Sequence, residues 1–185
     1  MNKETELDFM PQRLKWACVS MKWLAVAAAI AMPVSIIAGG AISEIIRSVW
    51  NNLDEPIRSE ITYSDEKLIS LQIIAAITCL APAFVMISAA RVFSLLQKGL
   101  IFSFETAARI RLFASMVLAS ALVSFVSPTL LTLVMTMDNP PSKRALTFAI
   151  GSGHIVFVLI GVFLVAMAQI LTHATRIEQE NRQFV

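Results

Sequence analysis

Residues 68–90 read LISLQIIAAITCLAPAFVMISAA, 23 consecutive positions without an Asp, Glu, Lys or Arg. A helix rises about 1.5 Å per residue, so this run is long enough to cross the roughly 30 Å hydrocarbon core of a bilayer. Three further charge-free runs, residues 23–42, 112–137 and 145–172, share its character, and the four together take up just over half of the 185-residue chain. They are continuous rather than alternating, and too long and too few for the strands of a membrane barrel. The fold class they imply is all-α, an integral-membrane four-helix bundle. Composition agrees: 57% of residues are hydrophobic and 15% charged, with a mean hydropathy of +0.72, against about 45–50% and 25% in soluble domains.

The runs divide the chain into an N-terminal segment (1–22), a four-span domain (23–172) with an outer loop (43–67) and an inner corner (91–111), and a C-terminal helical tail (173–185). Short loops rich in Lys and Arg stay on the cytoplasmic side. With the N-terminus inside, the inner segments hold ten basic residues, among them Arg13, Lys15, Lys22, Arg91, Lys98, Arg109, Arg111, Arg176 and Arg182, and the outer segments hold five. Both termini are therefore expected in the cytoplasm. A cleaved signal peptide is the rival reading of residues 23–42, but Glu4, Glu6 and Asp8 precede that run, where a signal sequence is short and basic. Cys18 at the inner face and Cys79 near the middle of the second span lie at depths that forbid a bridge.

Past Gly39-Gly40, the residues Ile42, Ile45, Ile46, Val49, Trp50 and Leu53 recur at helical spacing, with Ser43, Glu44, Arg47, Asn51 and Asn52 on the other face. This predicts an amphipathic helix with Trp50 at headgroup level, which either lies along the outer leaflet or folds back over the bundle, there as a packed lid or, alternatively, as a substrate gate. Pro56 ends it, and Ser64 followed by Asp65 and Glu66 caps the second span. On the inner side the second span stops at Gly99, and a new helix starts with Ser103 as cap, Phe102 as hydrophobic staple and Glu105 four residues before Arg109. Arg176 with Glu180, and Glu178 with Arg182, form i,i+4 pairs along the tail.

Candidate chemistry is sparse. An ionisable side chain inside the bilayer usually marks an ion or proton path, and the fourth run holds one, His154, in Gly151-Ser152-Gly153-His154. Ser152 and His154 form the candidate intramembrane polar site; the expected role of the imidazole is a hydrogen bond to a neighbouring helix, and a proton relay is the alternative. Pro33, Pro82 and Pro128 each interrupt a span. The small pairs Ala27/Ala31, Ser120/Ser124 and Ala149/Gly153 allow close helix contact, within one chain or in a homo-oligomer. No nucleophile elbow, zinc-protease motif, C-x-x-C or P-loop occurs, so no catalytic, cofactor or metal residue is assigned and the chain is not read as an enzyme. Its mild net charge of +2 offers no stripe for direct nucleic-acid contact. Its expected partner is the lipid bilayer, joined at the cytoplasmic face by a docking surface of Lys98, Glu105, Arg109 and Arg111 from the corner and Arg176, Glu178, Glu180 and Arg182 from the tail.

The run Gly99-Leu-Ile-Phe-Ser-Phe-Glu105 with Arg109-Ile-Arg111, the ending Ala174-Thr-Arg-Ile-Glu-Gln-Glu-Asn-Arg-Gln-Phe-Val185, the proline-bearing second span and Asn139-Pro-Pro141 resemble a bacterial membrane family, domain of unknown function 2975. Thr172-His173 stands where an acid often precedes the Ala in that family. The resemblance implies a four-span inner-membrane protein. Some relatives are encoded beside a small helix-turn-helix regulator, which implies a regulatory or scaffolding role toward a cytoplasmic transcription factor. The alternative is a small transporter or exporter.

Overall fold

A computed structural model describes residues 12–101, 103–148 and 151–183, with side chains described throughout those ranges except at 178 and 181–183. In chain order the elements are α1 (Gln12–Ile37), α2 (Gly40–Asn51), α3 (Glu55–Arg58), α4 (Asp65–Gln97), α5 (Phe104–Thr136), a 3-10 turn at Pro141–Lys143, and α6 (Ser152–Gln183). The described residues include no strand, and α1, α4, α5 and α6 are each long and apolar enough to cross a membrane. The all-α reading holds.

Local chemistry sets the helix ends. Ser64 Oγ accepts from the Lys67 amide, and Ser103 Oγ accepts from the Thr106 amide, so each serine satisfies an amide that the first turn leaves open. Gly39 and Gly99 have φ of 74° and 78°, the left-handed region that a side chain disfavours, and stand where α1 and α4 give way to the next element. At Gly99 the Leu100 amide bonds back to the Leu95 carbonyl and the Gly99 amide to that of Leu96, the double closure of a Schellman stop. Because of the Gly39 turn, α1 ends at Ile37 rather than at Ile42, and Ile42 becomes part of α2. At its other end α1 begins at Gln12, so Arg13, Lys15 and Lys22 sit on the helix itself.

The spans stand in a row in which α1 packs on α4, α4 on α5, and α5 on α6. Ala25 meets Ala89 and Ala90, with Phe93 and Phe113 against the same cluster, and Thr78 Oγ1 donates to Ser127 Oγ at 2.6 Å. These anchors place Pro33 of α1 level with Pro82 of α4. Ala27 and Ala31 are exposed and take no part in the α1–α4 contact; the buried small residue there is Ala25. Between α5 and α6 the seam is Gly161, Ala168 and Thr175, all buried at seven-residue spacing. A Cβ on Gly161 would lie 2.5 Å from Leu118 Cδ2, so the Leu118 side chain fills the space that a larger residue here would need.

The amphipathic helix folds back over the bundle as a packed lid. Val49 and Leu53 are buried with Leu71 of α4 and Leu131 and Met135 of α5, while Ser43, Glu44, Arg47, Asn51 and Asn52 face outward. Trp50 tilts against Tyr63 with ring centroids 5.9 Å apart.

The fourth span departs from the charge-free run. Residues 145–148 are not helical, and the helix begins only at Ser152. Thr129 and Thr136 lie seven residues apart on one face of α5 and supply the bonds that a helix would have made. Thr129 Oγ1 donates to the Thr147 carbonyl at 2.8 Å, and Thr136 Oγ1 accepts from the Ala145 amide at 3.2 Å. With its backbone held this way, the chain descends along α5 before it coils.

Candidate functional site

The α4–α5 corner lies at the end of the molecule that holds the start of α1 and the close of α6. Thr106 is fully buried, and its Oγ1 donates to the Leu100 carbonyl, tying the first turn of α5 to the loop that follows Gly99. Glu105 approaches Arg109 at only 4.0 Å, and Arg176 bonds Glu180 at 3.1 Å along α6; all four side chains are substantially exposed. Arg111 and Thr172 line one groove of about 420 Å³ with Phe104, Ala108, Leu112 and Ser115. The corner and the base of the tail are therefore neighbours across the α5–α6 seam. Lys98 is exposed at the C-cap of α4. The Glu178 and Arg182 side chains, their proposed pairing and the Phe102 staple lie outside the described residues. Antiparallel packing puts the corner and the described part of the tail at the same end of the molecule, and the ion pairs described there run along single helices rather than between them.

The intramembrane candidates sit at the opposite end of α6. His154 lies in its first turn, where Nδ1 accepts from the Gly151 amide at 3.2 Å, and the ring stands edge-on to Phe125 with centroids 6.2 Å apart. The expected bond to a neighbouring helix is replaced by this local one. A glycine amide left open at a helix start is the nearest donor, and α5 presents only apolar groups here: Leu118, Ala121, Leu122 and Phe125 line the groove of about 460 Å³ beside the imidazole. Ser152 is exposed at the first position of the helix. Phe125 is midway along the apolar run of residues 112–137, so α6 starts its helix deep beside α5.

A third cluster, at the lid end, escapes sequence reasoning. The Lys67 side chain is fully covered, and its Nζ bonds Asp138 Oδ2 at 3.1 Å and the Thr62 carbonyl at 3.0 Å. Asn139 is also buried; its Nδ2 donates to the carbonyls of Ile57 and Lys143, while Oδ1 has no partner. Lys143 Nζ reaches Glu60 Oε1 at 2.6 Å, and burial pushes the Tyr63 phenol above its usual pKa. These bonds fasten the α5–α6 connection to the α3–α4 loop, making the lid end one polar-bonded cap. Cys18 and Cys79 are both free and buried. Among the described residues, no three His, Cys, Asp or Glu side chains come together as a metal could require.

Helix length, hydropathy and antiparallel packing define an all-α membrane protein with four transmembrane-length helices and a lid over one end. The chain matches the family described as "Protein of unknown function (DUF2975)" over residues 11–184, nearly its whole length, and belongs to that family. No curated protein and no solved structure matches it.

Proposed function

We propose that the chain is a multi-pass protein of the bacterial inner membrane with both termini in the cytoplasm, and that it acts as a regulatory or scaffolding partner rather than as an enzyme. Its working surface is the corner together with the tail, and its partner is a cytoplasmic regulator of the helix-turn-helix type. The observation that carries this reading is the groove shared by Arg111 of α5 and Thr172 of α6. It joins two segments of mixed charge, beyond which α6 continues as a helix to Gln183 with Ile177 59% exposed. In this reading Ile177, exposed beside the Arg176–Glu180 pair, is the residue that the partner covers.

A photo-cross-linking residue at Ile177, used in native membranes, tests the reading. The expected result is an adduct with a DNA-binding regulator, lost when Arg109 and Arg111 are both changed to Glu while the amount of inserted protein stays the same. Absence of an adduct, or one that persists in the reversed-charge variant, overturns it. A small transporter would then be the reading to pursue. That second reading is favoured by one feature, the late start of α6 beside Phe125, since broken spans with helix ends at mid-depth are a feature of transporter sites.

A further inference from the structure

The face of α1 toward α4 leaves a groove of about 500 Å³, walled by apolar residues that include Val26, Ile30 and Val34 and bordered at one end by Lys22 and Arg91. Both cations lie at the same level, because Ala25 packs on Ala89 and Ala90. Lys22 Nζ stands 5.9 Å from the Trp23 ring centroid, and Trp16 and Trp23 are both largely exposed on this stretch of α1. Exposed tryptophans of this kind mark headgroup depth. Among the described residues, neither Lys22 nor Arg91 has a carboxylate within 4 Å.

We infer that this groove binds one anionic phospholipid from the leaflet on the side of the termini, its phosphate between Lys22 and Arg91 and an acyl chain along α1. The inference rests on the membrane reading of the chain and not on its docking role. Charge and length select the occupant. The groove lining runs from Lys22 to Ile37, about 22 Å of helix, enough for a chain that crosses one half of a roughly 30 Å core. A soluble anion would leave the apolar walls uncovered. Basic side chains at a helix–helix groove on the headgroup plane attract anionic lipid.

The test uses the full chain in detergent, offered phosphatidylglycerol and phosphatidylcholine with matched acyl chains, and counts retained lipid by native mass spectrometry. The wild type is expected to prefer phosphatidylglycerol by roughly 5-fold for each cation. Lys22→Gln with Arg91→Gln should bring the two lipids to near parity, whereas Arg109→Gln with Arg111→Gln, at the same face but off the groove, should leave the preference intact. Ala29→Phe fills the groove without touching either charge and should release the lipid, which separates the groove from a diffuse surface attraction. Equal retention of both lipids by the wild type overturns the proposal. So does a preference that survives the Lys22/Arg91 change, one that Ala29→Phe leaves unaltered, one lost equally in the Arg109/Arg111 variant, or a dimer that forms in place of the lipid complex.

Discussion

Lys67 carries the most demanding chemistry of any single residue in this chain. An ammonium taken out of water needs its counter-charge and its hydrogen bonds together, and here it has Asp138 and the Thr62 carbonyl. Asp138 itself is half exposed, so the two partners are not equivalent. Asp138→Ala strands a covered charge on one backbone acceptor, and the expected loss of stability is about 1–3 kcal/mol. Lys67→Met keeps the apolar stem and leaves a carboxylate that water can reach; its expected cost is under about 1 kcal/mol. Chemical unfolding of the two variants in detergent measures the order, and a larger loss for Lys67→Met would mean that the ammonium is not the costly partner. The pair also marks a limit of sequence reading. The Ser64 and Ser103 caps were legible because a cap and its amide are three residues apart, whereas Lys67 and Asp138 are separated by 71 positions and meet only once α4 and α5 have packed.

Among the helices, α6 has the least support, since its only substantial packing partner among the described elements is α5. Apolar helices gain little from hydrophobic burial against one another in lipid, so backbone proximity along the Gly161–Ala168–Thr175 seam has to supply the contact. Gly161→Ala pushes a methyl group into Leu118, and overpacking of this kind costs about 1–3 kcal/mol. Leu118→Ala alone opens a gap, but in the Gly161→Ala background it makes room, so the double variant should be more stable than the two separate losses predict. A double-mutant cycle on unfolding in detergent reads this coupling, and simple additivity would exclude the contact as the source of the loss. The small pair expected on this span, Ala149/Gly153, is not the seam: Gly153 is exposed and Ala149 lies outside the described residues, and Ala27 and Ala31, which present the same kind of signal, are exposed as well. Small-residue spacing says that a helix can be approached closely; it does not say from which side. The fourth span shows the complementary case, where the charge-free run from residue 145 predicts helix and the hydroxyls of Thr129 and Thr136 hold non-helical backbone instead. Hydropathy reports only that the segment is apolar, and that is equally true of both conformations.

At the scale of the molecule, the row α1–α4–α5–α6 sends successive spans in opposite directions, which puts the start of α1, the α4–α5 corner and the close of α6 at one end and the lid at the other. The charges are distributed to match. Lys22 and Arg91 stand level with each other at the end of the termini, while Lys67 is withdrawn into the cap at the far end and Arg58 and Lys143 are paired with Glu55 and Glu60. Of the five basic residues on the lid side, three are paired with an acid within the cap. Both α4 and α5 have 33 residues, about 50 Å of helix against a hydrocarbon core of roughly 30 Å. Their ends therefore stand clear of the core, so a fusion in the connections beside them reports its side. A reporter active only in the cytoplasm should work after Val185 and near Gly99, and one active only in the periplasm should work near Pro56, where α2 and α3 cover the bundle. A periplasmic signal at Val185 together with one at Pro56 would require an even number of crossings between them, and the antiparallel α4–α5–α6 arrangement of three would have to be given up. A cytoplasmic signal at Pro56 with periplasmic signals at both Gly99 and Val185 would keep that arrangement and invert it, moving the corner, the tail and the groove beside Lys22 to the outer face of the membrane.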